Sequence, residues 1–351
     1  MASFRRQLLV FIMGLLIGLG FMVLLTPPST VEGGPYTITT AGSSTVFSLS
    51  QEWATRFQSD YPAFTVNPST GGSGLGQSQV AQKLIDIGAS SSYPDQEYLQ
   101  ANPSVRTIPV SADALGIVVN PSINGSTFRM DCDMAVAVFQ RNVTTWGEFS
   151  ATFGVAVQQT GEIDVYVRSD ASGTTATFAK WLETADDNPN PLANYTWRFG
   201  HSETLSWAPG INSVDGNPGV AAGVLGDDHG IGYVGLAFME GLTPVELYNP
   251  TTQEFVTPSL QNALKALPEA LTDAGENLMN SAISGAYPIA RLLYYLVHEE
   301  NVAWQVLVYL NWITVRGQVF IPSVGYVPIN GTSAAVYSID LIASLSPTWQ
   351  P

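Results

Sequence analysis

A chain of 351 residues with 45% hydrophobic side chains can build one large or two medium-sized packed domains, which excludes a disordered or fibrous protein. Its 29 acidic against 13 basic residues give a formal charge of -16, which makes nucleic acid and anionic lipid poor partners over most of the surface. The single Cys132 excludes an internal disulfide and stands too far from the N-terminus to carry a lipid anchor there.

Taken in chain order, Arg5 and Arg6 precede an uncharged apolar run from Leu8 to Leu25, long enough to cross a bilayer. The basic flank should stay cytoplasmic and everything after Thr26 should face outward. The run exceeds a usual signal core and no clean small-x-small cleavage site follows it, so an uncleaved anchor is expected ahead of a cleaved signal peptide. Residues 1–35 are thus read as a transmembrane anchor or signal segment plus a Pro/Gly linker, placing the remainder on the extracellular face of the cell membrane, or secreted if the segment is cut. Asn124, Asn142, Asn194 and Asn330 head N-x-S/T glycosylation acceptor sites, as suits a protein of that surface.

From Tyr36 onward, short β-type runs alternate with helix-period runs, the pattern of an α/β fold with mostly parallel strands. Tyr36 to Thr40 reads as a strand, and Val46, Leu49, Trp53 and Phe57 then recur at steps of three or four as one helix face. Phe64 to Val66 is a second strand, a helix runs through Val80 and Leu84, and Ile85 to Ala89 is a third strand. Ala114 to Asn120 and Ile163 to Val167 read as strands, with helices at Met134 to Phe139 and around Phe178, Trp181 and Leu182. Gly219 to Leu225 and Ile231 to Val234 form a further helix and strand. Leu292 to Val297 is a late strand, and Val302, Val306, Leu307, Leu310 and Ile313 mark an amphipathic helix near the end.

Three strand-to-helix junctions carry small hydroxyl or glycine residues: Gly42-Ser43-Ser44-Thr45, Gly71-Gly72-Ser73-Gly74-Leu75-Gly76 and Ser172-Gly173-Thr174-Thr175. Helix starts leave backbone N–H groups unpaired and carry roughly half a positive charge each, so such junctions suit an oxyanion. Ser and Thr cap helices everywhere, and one such junction alone means little. Three in one chain mean more, because junctions at strand C-terminal ends of an α/β sheet face a shared crevice. The third adds Arg168-Ser169-Asp170 ahead of its helix start, where a forked guanidinium can hold two oxygens and a carboxylate can orient it.

On these residues the chain resembles the phosphate-binding proteins of Pst-type ABC importers. Arg168 to Thr174 matches that family's R-x-D-x-S-G-T phosphate motif at every defined position, and the other two junctions fall in the family's order. Asp86-Ile87-Gly88-Ala89-Ser90, Trp146, Gly230-Ile231-Gly232-Tyr233, Tyr287-Pro288 and Gly325-Tyr326-Val327-Pro328 extend the similarity from about Thr39 to Ile329. The resemblance implies a two-lobed periplasmic-binding-protein-like fold of type II, each lobe a mixed, mostly parallel sheet flanked by helices, with residues 36–118 and 289–351 as the first lobe and 119–288 as the second. It implies inorganic phosphate held between closing lobes by Ser44, Thr45, Ser73, Ser91, Arg168, Asp170, Ser172, Gly173 and Thr174, with delivery to the membrane permease of an ABC importer. No cofactor, metal or nucleic acid is implied. Where well-known members carry aspartate after the D-x-G-A-S strand this chain has Ser91, which leaves Asp170 as the motif carboxylate able to tell protonated phosphate from sulfate.

Other readings rank lower. Sulfate, molybdate, tungstate or arsenate would fit the same tetrahedral site, and a cell-surface structural or adhesion protein could keep the fold without transport. The sole cluster suggesting enzyme chemistry, Asp227-Asp228-His229, is flanked by Gly226 and Gly230 and reads as a polar turn before a strand, so no catalysis is expected.

Overall fold

The first helix shows how local sequence sets the architecture in this computed structural model, which describes residues 36–123, 128–188 and 193–345. Strand β1 (Tyr36–Gly42) leads into α1 (Ser44–Asp60), whose start is capped by the Ser43 hydroxyl accepting from the N–H groups of Thr45 and Val46 at 3.2 and 3.4 Å. Val46, Leu49, Trp53 and Phe57 form its inner face and are all fully buried. Each such burial contributes about 1.5–3 kcal/mol, which outweighs the many weak helix formers in this segment.

Next come β2 (Phe64–Thr70), α2 (Ser73–Ala81), β3 (Ile87–Ser90), α3 (Gln96–Ala101) and the long β4 (Val105–Val119). Helix α2 ends at Ala81 rather than continuing through Leu84, because Lys83 takes a left-handed φ of 59° and Leu84 is exposed. The middle of the chain supplies β5 (Phe128–Met130), α4 (Cys132–Phe139), α5 (Trp146–Phe153), β6 (Asp164–Arg168), α6 (Gly173–Leu182), β7 (Asn212–Val214), α7 (Gly216–Leu225) and β8 (Gly230–Gly235). Then follow β9 (Thr243–Asn249), β10 (Glu254–Val256), α8 (Leu260–Leu264), β11 (Ala290–His298), α9 (Trp304–Val315) and α10 (Ser333–Ser344).

The strands pair in the order β2-β1-β3-β11-β4-β8-β6-β7, with β9 joining β4, β5 and β10. Parallel pairing joins β1 to β3 and β6 to both β7 and β8, whereas β11 runs antiparallel to β3 and β4, and β8 antiparallel to β4. The sheet is therefore mixed, as expected, but antiparallel pairing takes a larger share than a mostly parallel sheet would have. The reason lies in β4, which pairs with β11 over Val105–Ala114 and then with β8 over Leu115–Val119. Both of its faces are covered, so it shows no polar alternation, and only its last part reads as a strand from sequence.

Among the described residues no helix is long and apolar enough to cross a membrane. The apolar run Leu8–Leu25 lies outside them, as does Asn124, while Asn142, Asn194 and Asn330 are exposed.

Candidate functional site

The three junctions singled out in the sequence begin helices α1, α2 and α6, and their side chains meet. Thr45 Oγ1 lies 2.9 Å from Thr174 Oγ1, which lies 3.5 Å from Ser91 Oγ, which in turn lies 3.3 Å from Ser73 Oγ. Ser44, Thr45, Ser73, Ser91, Ser172 and Thr174 are all buried, so a row of hydroxyls from three helix starts and the end of β3 shares one enclosed region. Ser172 faces its own helix, capping α6 by accepting from Thr175 N–H at 3.2 Å.

Backbone approach is tight enough to require glycine at two of these positions. A Cβ on Gly173 would stand 2.6 Å from Ser92 N and 2.8 Å from both Ser73 Oγ and Ser91 Oγ. Gly72, the residue before α2, has a φ of 90° that side-chain-bearing residues rarely adopt, and a Cβ there would meet Ala171 O at 2.5 Å. Gly74 N–H donates to Ala171 O at 3.2 Å, locking the α2 start onto the α6 loop.

Arg168 ends β6 and Asp170 follows in the loop. The guanidinium donates through Nε to Asp170 Oδ1 at 2.7 Å and through Nη2 to Asp170 Oδ2, while its buried Nη1 has no acceptor among the described residues. A buried cationic donor without a partner is costly, and that nitrogen is the group most in want of an anion. Burial pushes the Asp170 carboxyl up, but its bonds to Arg168, the Arg168 charge and the Gly216 N–H outweigh this and hold it below its ordinary value. Asp170 is therefore ionised and works as an acceptor.

Three contributors escaped the sequence reading. Arg291 in β11 stands directly opposite Asp113 in β4, and its Nη2 donates to Asp113 Oδ2 at 2.7 Å. Its Nη1 reaches Thr174 Oγ1 at 3.1 Å and Ser91 O at 3.2 Å, so one guanidinium ties the hydroxyl row to the sheet. Burial pulls the Arg291 pKa below its ordinary value, and Asp113 offsets part of that. Asn217, in the first turn of α7, donates to Thr45 Oγ1 at 2.8 Å, and its backbone N–H donates to Ser44 Oγ at 3.2 Å. Helix α7 is thus a fourth helix start at the site, three residues earlier than the apolar run at Gly219 suggests.

Signals for these residues exist. Arg291 is a lone cation inside an apolar run, and Asp113 a lone anion inside another. Tyr233 adds support from β8: its hydroxyl lies 2.6 Å from Thr175 Oγ1 and accepts from Arg168 N–H at 3.4 Å, and its ring stacks on Phe178.

Two arginines and two aspartates cancel formally, so the helix starts set the local sign. Four of them supply about +2 in partial charge, which suits a tetrahedral dianion. Beside the hydroxyl row opens a cleft of about 630 Å³, bordered by Ser91, Ala171, Lys180, Glu203, Arg291 and Tyr294. The Asp227-Asp228-His229 turn lies elsewhere, beside Asp164 at the opposite end of β6 from Arg168, and Asp164, Asp227 and His229 hold ligand-type atoms within 4.8 Å of one another.

Fold and site together define an oxyanion-binding protein of the α/β class. Residues 28–316 match the PBP superfamily domain, and the chain belongs to that family. It is 26% identical over 330 residues to the phosphate-binding protein PstS of Haemophilus influenzae, covering 89% of this chain and 92% of the relative. The PstS of Methanocaldococcus jannaschii is 26% identical over 304 residues, covering 76% of each chain. Among solved structures, the phosphate-binding protein of Stenotrophomonas maltophilia superposes with a TM-score of 0.65 at 19% identity, covering 86% of this chain and 93% of that one, a likeness of fold.

Proposed function

We propose that this protein is an extracytoplasmic solute-binding protein that captures inorganic phosphate and delivers it to the permease of an ABC importer. The observation that carries the reading is the buried Arg168 Nη1 without an acceptor, set among helix starts α1, α2, α6 and α7. The PstS relatives, similar over most of this chain, support phosphate as the anion. It acts as a binder, not an enzyme.

In this reading Ser44, Thr45, Ser73, Ser91, Arg168, Asp170, Gly173 and Thr174 contact phosphate through hydroxyls, backbone amides, the guanidinium and one carboxylate, while Ser172 acts through its cap on α6. Asp170 accepts the phosphate proton, a bond sulfate cannot make at neutral pH. Residues 36–118 with 289–351 and residues 119–288 form two lobes that close over the anion. The switch of β4 from β11 to β8 at Ala114–Leu115, a few residues ahead of that boundary, supports a crossing between lobes along β4. The run Leu8–Leu25 anchors the chain with its binding region outside the cell, a role that rests on its length and its arginine flank.

Calorimetric titration of the chain with phosphate, arsenate, sulfate, molybdate and tungstate tests the proposal. One phosphate per chain, bound more tightly than sulfate, is expected. Absence of phosphate binding, or tighter binding of sulfate or molybdate, would overturn it.

A further inference from the structure

Glu203 is the one carboxylate facing the cleft whose environment neither the anion site nor the fold explains. It lies in the segment between α6 and β7, yet its Oε1 accepts from Gln77 Nε2 of α2 and from Ser92 Oγ beyond β3, each at 2.8 Å. Its backbone carbonyl accepts from Ser172 N–H at 2.9 Å. Gln77 Nε2 also donates to Ser90 Oγ at 3.1 Å, and Ser90 Oγ donates to Ser92 O at 2.7 Å. The Glu203 side chain therefore braces the Ser90–Ser92 turn that presents Ser91, while its backbone holds the residue that caps α6.

The bonding pattern leaves Oε2 open to a proton. Both side-chain donors go to Oε1, as to a carbonyl oxygen, and Oε2, set against Gly74, receives neither. The facing groups supply no neutralising charge. Asp95 at the start of α3 and Asp170 beyond β6 are negative, and Tyr98 of α3 bonds through its hydroxyl to Gln77 O. Lys180 of α6 and His201 border the same cleft, but His201 pairs with Glu183 at 2.7 Å, and neither is among the partners of Glu203.

We propose that Glu203 is a proton-dependent clasp across the cleft, taking up a proton as the protein closes over its anion, so that capture strengthens as the medium acidifies. This rests on the phosphate reading and on the two-lobed closure above. Burial, opposed by the Ser92 and Gln77 bonds and reinforced by Asp95 and Asp170, raises this carboxyl from 4.5 to about 7 in the closed arrangement. In an opened cleft, with these contacts undone, it would return toward 4.5. A group raised on closure favours closure fully below its open-state value, and the advantage is lost as pH rises through about 7.

The test titrates phosphate into the full chain and its Glu203→Gln variant, by calorimetry in buffers of different ionisation enthalpy. At pH 6 the parent should take up close to one proton more per phosphate bound than the variant, and at pH 8 nearly the same number. The variant-to-parent affinity ratio should rise about tenfold between those pH values, and phosphate's own titration cancels in that ratio. Equal proton counts with parallel affinity profiles would overturn the clasp while leaving the phosphate reading intact. If neither protein binds phosphate, the phosphate reading itself fails and the clasp with it. NMR titration of glutamate carboxyl carbons in the parent avoids dependence on a variant. The Glu203 midpoint should move up toward neutrality when phosphate is added, and an unmoved midpoint would contradict the proposal.

Discussion

Arg168 and Arg291 are both buried, both paired with an aspartate, and close enough for the Arg168 charge to act on Arg291, yet their bonding divides the work between them. Arg291 spends all three nitrogens on the protein: Nε and Nη2 on Asp113, Nη1 on Ser91 O and Thr174 Oγ1. Arg168 spends two on Asp170 and keeps Nη1. One guanidinium is a brace that sets where the hydroxyls stand, and the other is a fork with a prong left for the anion. Equal burial and equal charge do not mean equal roles; the count of satisfied donors separates them.

The largest effect should come from breaking the brace. Asp113→Ala leaves Arg291 buried without its counter-charge, and the loss of stability should be about 3–5 kcal/mol, read from urea denaturation. Arg168→Ala should disturb folding less and binding more, weakening phosphate affinity by at least about 2 kcal/mol in calorimetry. A variant that binds like the parent would remove Arg168 from the site and erase the distinction between the two arginines. Gly173→Ala forces the α6 start away from Ser91 and Ser73 and should cost about 1–3 kcal/mol, measurable as a lowered melting temperature together with weaker phosphate binding. Smallest is Asp170→Asn, which keeps an acceptor oxygen but adds a donor. It should narrow the preference for phosphate over sulfate by about tenfold, and unchanged selectivity would mean that Asp170 serves Arg168 alone.

The same comparison explains what the sequence disclosed. Arg168 and Asp170 stand two residues apart, and helix caps such as Ser43 and Ser172 are local by nature, so that half of the site was legible as a string. Arg291 and Asp113 lie 178 positions apart and meet only through the β4–β11 register, which no local pattern encodes. Asn217 was hidden because α7 opens with Gly216-Asn217-Pro218, before any apolar periodicity begins. Glu203 sits in a segment without helix or strand period, so its contacts with Gln77 and Ser92 could not be foreseen. The α/β alternation was legible, while the share of antiparallel pairing was not. Strands covered on both faces look alike whichever way their neighbours run.

The most direct measurement is a crystal structure of the protein grown with phosphate. Tetrahedral density should lie about 3 Å from Arg168 Nη1 and from the first amides of α6, with Arg291 still bonded to Asp113. Phosphate bound elsewhere, or Arg168 Nη1 turned onto a protein acceptor while the anion rests on Arg291, would contradict the account.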